Sequence, residues 1–197
     1  KRLLQLDEPQ VHYLLLDIEP SQDLPEFRPP INLSIVMDRS TSMRGQRLDQ
    51  LRSAVLKILL AMGEGDSTSI IAFSDRAELI VSPEQSREMS VARARLSLLQ
   101  AGGGTEIGKG LETGMEELQR NFSKEGANHL ILLTDGRTYG DEEMCIAMAD
   151  RASEQGVIVH AVGIGSDWSD RLLDDLATRS GGSGCIPGSC TWAGCFA

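Results

Sequence analysis

Apolar residues recur along this chain with two periods, and the alternation between them outlines a fold. Ile31-Asn32-Leu33-Ser34-Ile35-Val36-Met37 is an apolar, β-branched run that reads as a strand. From Arg47 onward Leu48, Leu51, Val55, Ile58, Leu59 and Met62 fall at spacings of three and four, which predicts a helix with one buried face that ends at Gly63 and Gly65. Residues 69–73 and 77–81 read as strands, and the Ser74-Asp75-Arg76 connection is short enough to force a hairpin. Residues 86–100 are a helix candidate, and Ile107, Leu111, Met115, Leu118 and Phe122 mark another. Residues 130–133 and 157–162 are continuously apolar, as expected of strands covered on both faces. A helix over about 141–155 lies between them, and another over 168–179 turns Leu172, Leu173 and Leu176 inward. The pattern predicts an α/β fold: a doubly wound, mostly parallel sheet with one antiparallel edge strand.

The two ends do not follow this rhythm. Residues 11–19 read as a strand, whereas residues 20–30 carry Pro20, Pro25, Pro29 and Pro30 and form a connector. Residues 183–197 have no charge and no period, so the far edge of the sheet is expected to lack its final strand or to have it replaced. The organisation expected is an N-terminal strand and connector over 1–30, one domain over 31–182, and a cysteine-containing tail over 183–197. A length of 197 residues is enough for one domain with a sizeable core. The chain begins at Lys1 rather than Met, so the readings of a fragment or a processed form stay open.

Chemistry concentrates where the strand at 31–37 stops. Asp38-Arg39-Ser40-Thr41-Ser42 offers one carboxylate and two spaced hydroxyls, and ligands of open α/β sheets bind beyond the carboxyl ends of the strands. An all-oxygen donor set suits a hard divalent cation. Three groups cannot fill an octahedron, and the chain supplies more: Thr105 after the Gly102-Gly103-Gly104 run, and Asp135 after the strand at 130–133. Together these segments resemble the von Willebrand factor type A domain, whose metal-ion-dependent adhesion site combines Asp-x-Ser-x-Ser, a Thr in a later loop and an Asp in a third. The matching positions are Asp38, Ser40, Ser42, Thr105 and Asp135, and the resemblance covers roughly residues 11–180.

What the resemblance implies is a Rossmann-like binding module rather than an enzyme. The five residues would hold Mg2+, with Mn2+ or Ca2+ able to substitute, and an Asp or Glu of a partner protein would complete the shell. Two alternatives remain: a module whose metal only ties three loops together in a larger assembly, and a magnesium-dependent hydrolase of phosphate esters. The haloacid-dehalogenase phosphatases also place an Asp at a strand tip, but they need a second Asp where this chain has Ser40. No serine elbow is present and no His adjoins the motif.

Composition narrows the partners. With 19 Lys and Arg against 29 Asp and Glu the formal charge is −10, which disfavours nucleic acid and anionic membrane surfaces. No apolar run is long enough to span a bilayer. His12, His129 and His160 sit in strand patterns without a partner at ligand spacing and read as core or edge residues. Cys145 falls on an apolar helix face, and Cys185, Cys190 and Cys195 lack a zinc spacing. The glycines at 102, 103, 104, 108 and 110 match no nucleotide loop and read as backbone freedom that brings Thr105 to the metal. Asp75, near the same edge, reads as structural.

Overall fold

The computed structural model describes residues 28–135, 138, 140–165 and 170–185. The strand expected at 11–19, most of the connector at 20–30, the first turn of the helix expected from 168 and the tail beyond 185 lie outside these residues. The elements run β1 (Ile31–Asp38), a 3-10 turn (Thr41–Met43), α1 (Gln46–Ala61), β2 (Ser67–Phe73), β3 (Ala77–Val81), α2 (Pro83–Ser86), α3 (Met89–Leu98) and α4 (Ile107–Arg120). They continue with β4 (Ala127–Thr134), α5 (Glu142–Glu154), β5 (Ile158–Gly163), α6 (Asp170–Ser180) and β6 (Gly184–Cys185).

The sheet order is β3-β2-β1-β4-β5-β6. β3 alone runs antiparallel, paired to β2 at the edge, as the three-residue hairpin requires. The other pairs are parallel. The sheet continues past residue 182, because Gly184–Cys185 pairs with Ala161 and Val162 inside the segment that reads as a tail.

Strand periodicity sends alternate residues of β1 to opposite faces. Leu33, Ile35 and Met37 meet Leu48, Leu51, Val55 and Leu59 of α1 and Ala92 and Leu96 of α3. Val36 meets Ile107, Leu111, Met115 and Leu118 of α4 in a core shared with α5 and α6. Three details depart from the sequence pattern. The helix candidate at 86–100 is α3, which begins only at Met89, and a separate short helix precedes it where Pro83 takes the first helical position, the two being separated by Arg87 and Glu88. Phe122 lies beyond the end of α4 and is exposed rather than buried. Gly110 and Gly114 are helical, and their role is close packing on the sheet: a Cβ at 110 would stand 2.8 Å from Phe73 Cδ1.

The far end of β1 is tied by Asp66, a buried carboxylate that accepts from Ile31 N (2.9 Å), Gly63 N (2.7 Å) and Arg28 Nη2 (2.8 Å). Cys145 is buried against α4, and its thiol is pushed up to about 12, first by burial and then by Asp141 and Glu142, so it stays protonated and unreactive.

His129 and His160 turn out to be each other's partners. They stand on adjacent strands with ring centroids 5.2 Å apart and His129 Nδ1 3.1 Å from His160 Nε2. On its other side His160 Nδ1 lies 3.2 Å from Ser183 Oγ and 3.4 Å from Ser183 N, so the ring is held at both nitrogens. Burial lowers both rings, and His129 helps hold His160 down at about 4. A histidine depressed in the folded state binds fewer protons than the unfolded chain between about pH 4 and 6.5, so stability falls as pH falls through that window. Half-exposure screens the effect, leaving a contribution of about 1–2 kcal/mol. Thermal midpoints measured from pH 7 to 4 should therefore drop more steeply for the parent than for His160→Gln. Parallel curves would show that the pair does not resist protonation.

Candidate metal centre

The strand order places the site. It reverses between β1 and β4: β1 leads through α1 on one face to β2, and β4 leads through α5 on the other face to β5. The connections leave in opposite directions, which opens a crevice at the strands' carboxyl ends. Asp38 ends β1 and Asp135 follows β4, and register pairs Met37 with Leu133. Two of the candidate carboxylates thus flank the crevice because of topology.

Within the first loop Asp38 Oδ1 accepts the Ser40 N–H (2.7 Å), and Ser40 Oγ lies 2.9 Å from Ser42 Oγ. The 3-10 turn over Thr41–Met43 brings these hydroxyls together, with Met43 buried beneath as an anchor. Asp38 is wholly buried, and its Oδ2 accepts the Thr134 hydroxyl at 2.6 Å. The loop that carries Thr105 is fastened alongside: Thr41 N and Oγ1 both donate to Gly103 O (3.2 and 2.9 Å), and Gly102 N donates to Arg39 O (2.8 Å).

Asp75 sets the approach of that loop. Its Oδ1 accepts the Gly104 N–H at 2.7 Å, and a Cβ at Gly103, whose φ is +86°, would stand 2.5 Å from its Oδ2. Two of the glycines thus serve the Thr105 loop through φ and close contact. Gly108 does something else: as part of α4 it donates from its N–H to Asp141 Oδ2 (2.7 Å). Thr138 links the second and third loops by donating to Thr105 O (3.1 Å) and to Asp141 Oδ1.

Ser40, Thr105 and Asp135 are buried and Ser42 is exposed, so the crevice opens to solvent at Ser42. The electrostatics are those of a site short of positive charge. Burial pushes the Asp38 carboxyl above the usual range and Asp135 adds to that, against the pull of Thr134 and Ser40. Asp135 Oδ1 is buried without a hydrogen-bond partner, while Oδ2 lies 3.5 Å from Arg47 Nη1. Oxygen donors from three loops, one of them a buried carboxylate oxygen left unpaired, fit a divalent cation bound directly or through water. Among the described residues no group of three or more His, Cys, Asp or Glu side chains is placed to hold a metal ion, so the candidate set relies on hydroxyls beside its two carboxylates.

The sequence singled out Asp38, Ser40, Ser42, Thr105 and Asp135 as candidate oxygen donors, and it did not single out the residues that fix their positions. Thr134 carries a local signal, since it immediately precedes Asp135. Arg47, Thr138 and Asp141 carry none, because their partners are supplied by the fold.

Comparisons with known proteins place the chain in a family and a fold. Residues 32–188 match the family described as von Willebrand factor type A domain. An uncharacterized protein of Synechocystis, sll0103, is 35% identical over 79% of this chain, and the human inter-alpha-trypsin inhibitor heavy chain H4 is 30% identical over 78%. The chain spans only 37% and 18% of their lengths, so nothing about those whole proteins carries over. A solved von Willebrand factor type A structure from Catenulispora acidiphila superposes with a TM-score of 0.67 at 22% identity, over 81% of this chain and 38% of that one. Proximal thread matrix protein 1 of the mussel byssus, described with zinc in its MIDAS motif, gives 0.66 at 20% identity, over 81% and 42%. These two establish the likeness of fold.

Proposed function

We propose that this chain, which belongs to the von Willebrand factor type A family, is a binding module in which Asp38, Ser40, Ser42, Thr105 and Asp135 hold a divalent ion that captures an acidic side chain of a partner protein. Members of the family generally mediate protein–protein contact through such a metal site. The observation that carries the reading is the buried, unpaired Asp135 Oδ1 in a crevice that also receives the Asp38 carboxylate and the paired Ser40 and Ser42 hydroxyls.

Each residue has a distinct task in this reading. The ion supplies a coordination position that a carboxylate oxygen can complete. Asp38 and Asp135 balance its charge, and Thr134 and the Ser40 N–H orient Asp38. Ser40 and Ser42, already side by side, turn their hydroxyls inward together. Thr105 comes from the loop that Asp75 and Thr41 fasten, and so joins the second loop to the first. Magnesium suits this donor set, which has no nitrogen or sulfur; manganese and calcium have the same preference for oxygen.

The test is an affinity capture with the immobilised chain, run in parallel with magnesium and with EDTA and repeated with Asp135→Ala. Partners should be retained with magnesium, released by EDTA and missing from the variant. Contacts indifferent to chelator and variant would favour the reading in which the metal only ties the loops together.

A further inference from the structure

Arg47 enters the crevice from the first turn of α1 and touches two of its loops. Its Nη1 lies 3.3 Å from Ser42 O and 3.5 Å from the buried Asp135 Oδ2. Its guanidinium lies against a third loop, after β5: a Cβ at Gly165 would stand 3.2 Å from Cζ and Nη2, at a φ of +92°. A side chain at 165 would crowd the guanidinium, and the positive φ favours glycine there. The other basic residues of this edge with a described ion pair face carboxylates outside the donor set: Arg39 is 3.8 Å from Glu78, and Lys109 is 2.5 Å from Glu106.

We infer that Arg47 is a resident counter-cation of the metal centre, a positioning residue that holds Asp135 when no ion is bound, opposes the ion, and gives the loaded site the added positive charge that draws a carboxylate. The inference rests on the function proposed above. Arg47 lies against a carboxylate of the proposed donor set, so the loaded crevice carries one more positive charge with it than without it. The same charge repels the ion itself, so metal affinity is given up for attraction to the acid.

Opposite signs on the two ligands make this testable with Arg47→Gln, which keeps length and polarity, and Arg47→Lys, which keeps charge. Calorimetry with magnesium alone should show affinity raised about three- to tenfold in Arg47→Gln and within about twofold of the parent in Arg47→Lys. In EDTA the thermal midpoint of Arg47→Gln should fall below the parent's, because Asp38 and Asp135 then face each other without compensation. A short peptide with one central Asp should bind the magnesium-loaded parent, and bind Arg47→Gln at least about fivefold more weakly. If the parent binds magnesium and the peptide but Arg47→Gln binds magnesium no better, or the peptide no worse, the inference alone falls. A merely structural Arg47 would weaken both ligands together. A parent that binds neither would end the functional reading and this inference with it.

Discussion

Asp38→Asn is expected to weaken divalent-ion binding at least about a hundredfold while leaving the metal-free domain as stable as the parent or slightly more so. The two halves follow from the same burial. In the proposed donor set Asp38 is one of two carboxylates, and an amide supplies a poorer oxygen with no charge, so the ion would lose its strongest attraction on that side. Without the ion, the carboxylate is a burden: burial raises it above its ordinary range and Asp135 repels it. The amide keeps an oxygen for the Ser40 N–H, and its NH2 can donate to the Thr134 oxygen; the Thr134 hydroxyl must then turn its proton elsewhere, a cost set against the relief of burying one carboxylate fewer. In EDTA the variant's thermal midpoint should match or exceed the parent's. In magnesium the order should reverse, since an ion at a hundred times its dissociation constant stabilises only the parent, by about 2.7 kcal/mol. A large loss of stability in EDTA would make Asp38 a structural residue. An unchanged response to magnesium would remove it from the donor set.

That dual character explains why this part of the site was legible in sequence. A strand pattern that ends in Asp, followed by hydroxyls within five residues, is a local signal, and it needs no tertiary information to be read. Thr105 and Asp135 were readable because each adjoins its own strand or helix signal. Arg47 was not, because what defines it is distance in sequence: it meets Asp135 across 88 residues, and the same holds away from the site, where His129 meets His160 across 31. No window along the chain contains both members of those pairs. The short helix α2 was missed because its four residues are too few to carry an apolar period, although Pro83 was there to mark a helix start. The glycines misled in a different way. Gly103 and Gly104 do serve the Thr105 loop, but Gly110 belongs to a helix face, where the same absence of a side chain answers a packing need.

The packing need at that face is tightest at Gly114, and Gly114→Leu is expected to prevent folding. α4 lies so close to β1 and β4 that even a Cβ at 114 would stand 2.6 Å from Val36 Cγ2 and 3.0 Å from Leu130 Cδ1, both of which are wholly buried. Alanine there gains about 1 kcal/mol of helix propensity over glycine and loses about 1–3 kcal/mol to overpacking, so Gly114→Ala should be mildly destabilised. Leucine adds three more carbons with nowhere to go. To admit them α4 must lift from the sheet, which opens the contact of Ile107, Leu111, Met115 and Leu118 with Val36 and exposes side chains worth about 1.5–3 kcal/mol each. The loss rivals the 5–15 kcal/mol or so that holds a domain together. Lifting α4 would also move Thr105, two residues before the helix begins, so any variant that did fold should bind its ion more weakly. Gly65→Ala is the matched control: nothing lies within 4 Å of a Cβ there, and its stability should stay within about 0.5 kcal/mol of the parent. Expression, solubility and thermal midpoints for the three variants decide the matter. A soluble Gly114→Leu that melts near the parent would mean that α4 can stand off from the sheet, and that its glycines do not set the position of the Thr105 loop.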